Sequence, residues 1–131
     1  AKDTYYLFSW EDVVREQSRG REFKRLRGYL LADSSEETLP QYVLWYQKNE
    51  DTYYSSSWEV VQTALKQGRE YWGQSGYILK SQKNNTIPLY PMWYSKHKDW
   101  YFAFSWDEVC EQIKQGRESY GYIEGYIYDA Y

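Results

Sequence analysis

Three times along the chain a short aromatic run gives way to apolar residues spaced three and four apart, and each such stretch ends at a glycine. The blocks are DTYYLFSWEDVVREQSRGRE from Asp3, DTYYSSSWEVVQTALKQGRE from Asp51 and DWYFAFSWDEVCEQIKQGRE from Asp99. Their serines (Ser9, Ser57, Ser105) and tryptophans (Trp10, Trp58, Trp106) recur at steps of 48 residues. The aromatic runs read as strands, because ring and β-branched side chains suit a pleated half-buried surface. The following stretches read as helices. A serine oxygen can accept from an unpaired N–H of the first turn, and the acids behind it face the positive end of the helix dipole. Ser105 with Glu108 has the spacing of a capping box. Trp58, Val61 and Leu65, and likewise Trp106, Val109 and Ile113, predict one buried helix face; the first copy has Trp10 and Val13 but Gln17 at the last position. Gly20, Gly68 and Gly116 are the expected stops, where a left-handed residue carries the least strain.

Other segments complete a unit. Gly28-Tyr-Leu-Leu, Gly76-Tyr-Ile-Leu and Gly125-Tyr-Ile-Tyr read as strands after each helix, the third displaced by one residue as though by a bulge or longer loop. Residues 33–38 and 81–86, running on to Pro40 and Pro88, read as loops. Tyr42–Gln47 and Tyr90–Ser95 each carry Trp-Tyr and lead through a short polar turn to the next aspartate, which predicts a hairpin. The predicted fold is therefore α+β: one domain over residues 1–131, made of tandem strand-strand-helix-strand repeats of about 48 residues, with an antiparallel sheet and one helix per repeat, three helices in all. The units fall at about 1–40, lacking the first strand, 41–88 and 89–131. Either the chain belongs to a longer array or the strand Tyr126–Tyr131 closes on the first strand.

Composition adds a strong aromatic bias. Among 131 residues there are 17 Tyr, 7 Trp and 4 Phe, so rings must supply most of the packing and some must reach the surface. A net charge of −3 argues against a general polyanion binder, although Arg19–Arg27 is a concentrated basic run. Cys110 is the only cysteine, which excludes an internal disulfide and suits a reducing compartment. No run approaches the roughly 20 apolar residues of a membrane span. The expectation is a cytoplasmic protein, with a secreted form lacking its signal as the alternative.

Catalytic patterns are sparse. His97 falls in a predicted turn, and Cys110 takes the helix position of Val14 and Gln62. One histidine and one cysteine do not make an ordinary zinc site. The repeated acids sit at turns and helix starts, where structure already accounts for them. No glycine-rich phosphate loop is present. No enzyme activity, cofactor or metal is therefore expected.

Strand alternation sorts the rings. The missing hydroxyl at Phe102 suggests that Tyr6, Tyr54 and Phe102 face the helix and core, leaving Tyr5, Tyr53 and Tyr101 on the opposite face. Those three, the strand tryptophans Trp45 and Trp93, and the arginines Arg21, Arg69 and Arg117 that follow each glycine are the candidate binding residues. The arginines would either steady the helix C-terminus or serve as a ligand fork. Segment Trp93–Gly116 resembles the small hybrid-binding domain of viroplasmin and of some ribonucleases H. That resemblance implies nucleic-acid contact through Trp106 and through strand lysines, of which Lys80 alone has a match. The segment also resembles the GYF-type peptide-binding module. The expected function is a non-catalytic module that binds a protein or peptide partner through repeated aromatic surface. The alternatives are a carbohydrate-binding repeat protein, and a hybrid or double-stranded RNA binder or acidic inhibitor.

Overall fold

A computed structural model describes residues 28–129. The expected first strand and first helix, with Tyr5, Tyr6, Trp10 and Arg21, lie outside the described residues. Strands β1 (Gly28–Tyr29), β2 (Thr38–Tyr46) and β3 (Asp51–Ser55) precede helix α1 (Trp58–Lys66). Then come β4 (Glu70–Leu79), β5 (Thr86–Tyr94), β6 (Asp99–Ala103), helix α2 (Trp106–Lys114), β7 (Glu118–Ser119) and β8 (Gly125–Asp129).

Local chemistry explains both helices. The Ser57 and Ser105 backbones are extended, and their hydroxyls accept from the N–H groups of Val60 at 3.4 Å and Glu108 at 3.1 Å. Glu108 reaches back to the Phe104 N–H at 3.3 Å, one residue before the capping serine. At the far ends Gly68 (φ +86°) and Gly116 (φ +91°) take the left-handed conformation. The N–H of the next residue then bonds three positions inside the helix, Arg69 to the Ala64 carbonyl at 3.0 Å and Arg117 to that of Gln112 at 3.1 Å. This doubly bonded glycine stop satisfies carbonyls that the helix leaves unpaired. Ser105→Ala is expected to cost about 1 kcal/mol of stability, measured by urea denaturation.

The strands form one antiparallel sheet in the order β3-β2-β4-β8-β5-β6, with β1 also on β8 and β7 also on β5. β3 and β6 stand at opposite ends of that order, yet their rings meet. Tyr54 lies 5.9 Å from Trp100 and 6.1 Å from Phe102, centroid to centroid. The Trp100 N–H donates to Asp51 Oδ1 at 3.1 Å. The sheet must therefore curl until its ends face each other. Its inner side buries Tyr54, Ile78, Leu89, Trp100 and Phe102. On the outer side α1 packs Val61 and Ala64 on Leu44, and α2 packs Val109 on Met92 and Ala103.

Within the described residues the predicted three-helix tandem-repeat sheet is not what is found. The described residues are mostly antiparallel strand with two helices, and the halves pair differently. β4 runs beside β2 from Thr38↔Leu79 to Trp45↔Glu70, absorbing two register shifts. After α2 the chain meets β5 only at Met92↔Ser119 and Trp93↔Glu118, turns at Gly121 (φ +83°), and pairs again from Leu89↔Gly125. The residue that displaces the last Gly-Tyr motif thus splits one long strand into β7 and β8. β8 then also joins β4, through the Leu79↔Tyr126 rung. The loops read up to Pro40 and Pro88 also end earlier, since both prolines lie within strands and pair with Tyr77 and Tyr126.

Candidate aromatic binding surface

Register decides where the candidate tyrosines point. Leu44↔Tyr53 and Val43↔Tyr54 put Tyr53 on the Leu44 side, which α1 covers, and Tyr54 on the inner side. Tyr101 likewise packs on the cluster under α2, while Phe102 is buried inside. The expected facing is reversed: Tyr101 lies under α2 and Tyr53 on the Leu44 side under α1, from where it also reaches the inner cluster, so the two do not form an open row. The missing hydroxyl at Phe102 correctly marks burial, but a curled sheet has two buried sides.

Tyr101 Oη lies 2.8 Å from Gln112 Oε1, to which it donates. Burial, opposed by the Arg117 charge and reinforced by the charges of Asp99 and Glu108, pushes its pKa up to about 12. The folded chain keeps this proton above the ordinary value of 10.0, where an unfolded chain releases it. Stability contributed by this group is therefore present below that value and is lost as pH rises through about 12. Ultraviolet titration of phenolate absorbance, compared with Tyr101→Phe, should show one tyrosine missing from the late-ionising set in the variant.

Arg69 and Arg117 lie against rings and glutamines of the chain itself. The glycine stop directs each back over the hairpin, with the Arg69 guanidinium 4.5 Å from the Tyr46 ring centroid and 5.8 Å from that of Tyr53, and Arg117 4.2 Å from Tyr94. Each also donates to a glutamine two residues earlier, Arg69 to Gln67 and Arg117 to Gln115 at 2.6 Å. Such cation–ring contacts stabilise by about 0.5–1 kcal/mol at exposed sites.

The open rings are elsewhere. Trp58, 46% exposed, meets Tyr42 at 5.3 Å and Tyr71 at 5.5 Å, the latter nearly perpendicular at 87°. Tyr42 and Tyr71 are 6.1 Å apart, which closes a three-ring cluster at the start of α1. In the second half Trp106, 58% exposed, lies 5.9 Å from Tyr90, and Ser119 stands where Tyr71 would. The helix-opening tryptophans are thus not part of a buried stripe. Val61, Ala64 and Val109 are buried, while Leu65 and Ile113 remain open.

Trp45 and Trp93 differ from each other. Trp45 is covered by Trp72, with centroids 4.8 Å apart and planes 10° apart, and its indole N–H donates to Gln47 Oε1 at 2.9 Å. Trp93 packs partly on the inner core and borders an open cleft with Glu118, Ser119 and Tyr120. His97 sits in the β5–β6 turn against Tyr94, with ring centroids 5.0 Å apart, and the Cys110 thiol is free. Among the described residues no group of three His, Cys, Asp or Glu is placed to hold a metal ion, and no helix is long and apolar enough to cross a membrane. Comparisons of the chain with protein-family models, curated proteins and solved structures each give no match.

Proposed function

We propose that the protein is a non-catalytic binding module that takes an extended segment of a partner protein on its outer aromatic face. The observation that carries this reading is the Tyr42–Trp58–Tyr71 cluster, whose rings hold one another in place while the indole remains 46% exposed. Preorganised rings lose little side-chain entropy on binding, and the few residues that dominate affinity at protein interfaces are enriched in Trp and Tyr. Perpendicular rings also leave notches that fit the side chains of an extended peptide. Tyr90 and Trp106 extend the same chemistry to the second half. This is the interaction role expected of the repeated aromatic surface, carried by rings other than Tyr53 and Tyr101.

Selection from a displayed random-peptide library against the immobilised chain is the test. Enriched sequences should share an apolar or proline-containing core, and Trp58→Ala should weaken their binding about 30-fold, as for an interface hot spot of about 2 kcal/mol. No enrichment, or enriched peptides that bind Trp58→Ala equally well, would refute the reading.

A further inference from the structure

We propose that the cleft between Trp93 and Tyr120 receives one aromatic side chain, an indole above all, from a basic segment of a partner polypeptide. The cleft measures about 230 Å³ and is lined by Trp93, Glu118, Ser119 and Tyr120. Sites for whole small molecules run to about 300–1,000 Å³, so this one suits a single ring system.

The other half of the chain shows which ring. Forty-eight residues earlier stand Trp45, Glu70, Tyr71 and Trp72, equivalent in turn to the four lining residues. There the Trp72 indole lies flat on Trp45 at 4.8 Å and 10°, so the molecule already holds a tryptophan of this position under a stacked indole. Offset stacking of this kind adds about 0.5–1.5 kcal/mol beyond the area buried. In the second half the strand stops at Ser119, the Tyr120 N–H bonds the Pro91 carbonyl at 3.2 Å, and the chain turns off at Gly121. A cleft is left where the first half has its stack.

Charge selects what flanks the ring. Glu118 forms part of the lining, and residues 89–131 carry seven acids against four bases. Burial first raises the Tyr120 phenol's pKa, with the charges of Asp51 and Glu118 acting in the same direction and that of Arg69 against them, and Glu118 is the one charged group among the lining residues. A lysine or arginine beside the inserted ring complements it. The proposal rests on the peptide-binding reading only for the class of partner. Its site is separate, because Trp93 packs toward the inner core whereas Tyr90 and Met92 pack under α2.

The test titrates the ¹⁵N-labelled chain with the tripeptide Lys-Trp-Lys and follows the Trp93 indole N–H and the Ser119 and Tyr120 amides. Saturable shifts are expected, absent with Lys-Ala-Lys and at least about tenfold weaker in affinity with Glu-Trp-Glu. Tyr120→Trp supplies the chain's own indole and should weaken binding at least about tenfold; Tyr120→Ala, which removes one wall without filling the cleft, should also weaken it. Equal response to Lys-Ala-Lys, or unchanged affinity in both variants, would overturn the proposal. So would saturation by methyl β-glucoside or uridine monophosphate without saturation by Lys-Trp-Lys, which would assign the slot to a sugar or a base. Trp93 shifts that persist in Trp58→Ala would keep this site even if the outer-face reading failed. Their absence from a chain that still binds library peptides would remove this site alone.

Discussion

Trp100→Ala is expected to destabilise the chain by about 3–5 kcal/mol, the range for deleting a buried Phe or Trp side chain. Its ring is 6% exposed and lies 4.7 Å from Phe102, 5.9 Å from Tyr54 and 6.2 Å from Tyr53. It therefore joins the two ends of the strand order, and alanine would leave a cavity where β3 meets β6. A domain of this size has about 5–15 kcal/mol in total, so the variant should lose a large share of its stability. The contrast is Trp106→Ala: that ring is 58% exposed and should change stability by no more than about 1 kcal/mol. Urea midpoints followed by far-ultraviolet circular dichroism measure both. Equal, small losses would mean that the sheet does not curl onto itself.

Gly125→Ala comes next, at about 1–3 kcal/mol and toward the upper end. A methyl group there would stand 2.5 Å from Ile78 Cδ1 and 2.8 Å from the Leu79 carbonyl oxygen. Ile78 is almost wholly buried and cannot swing away, and the carbonyl belongs to β4 itself. The clash falls beside the Leu79↔Tyr126 rung between β4 and β8. The position needs glycine for close approach of two strands, since its neighbours, not its backbone angles, exclude a side chain. A lowered melting temperature and faster amide exchange at Tyr126 should accompany the substitution; unchanged exchange there would show that β4 and β8 do not meet as described.

Local chemistry was legible in the sequence. The serine caps, the glycine stops at Gly68 and Gly116 and the turn between β5 and β6 all depend on residues within a few positions of one another. Closure was not legible. Contacts between Tyr54 and Trp100 join residues 46 apart on strands that do not pair, and no periodicity encodes them. That hidden inner side is why strand alternation alone places Tyr54 and Phe102 on the helix face and Tyr53 and Tyr101 on the opposite one. The open rings are hidden in the sequence for a related reason. The sequence pattern starts the strand after α1 at Gly76, whereas β4 begins at Glu70, so the pattern leaves Tyr71 and Trp72 in a connection. The only available signal in EYWGQSG was the adjacent Tyr71 and Trp72, ring residues that favour a strand but without any alternation. The exposure of Trp58 and Trp106 had no such signal, because a tryptophan at the first position of an amphipathic helix reads the same whether it turns down to the sheet or sideways onto Tyr42.

The most direct measurement of whether the outer aromatic face is the binding surface is a ¹H–¹⁵N titration of the intact chain with a peptide recovered from the library. The largest shifts are expected at the Trp58 indole N–H and at the amides of Tyr42 and Tyr71, with a second set at Tyr90 and Trp106. Saturable binding whose shifts leave Tyr42, Trp58 and Tyr71 unmoved would contradict the account.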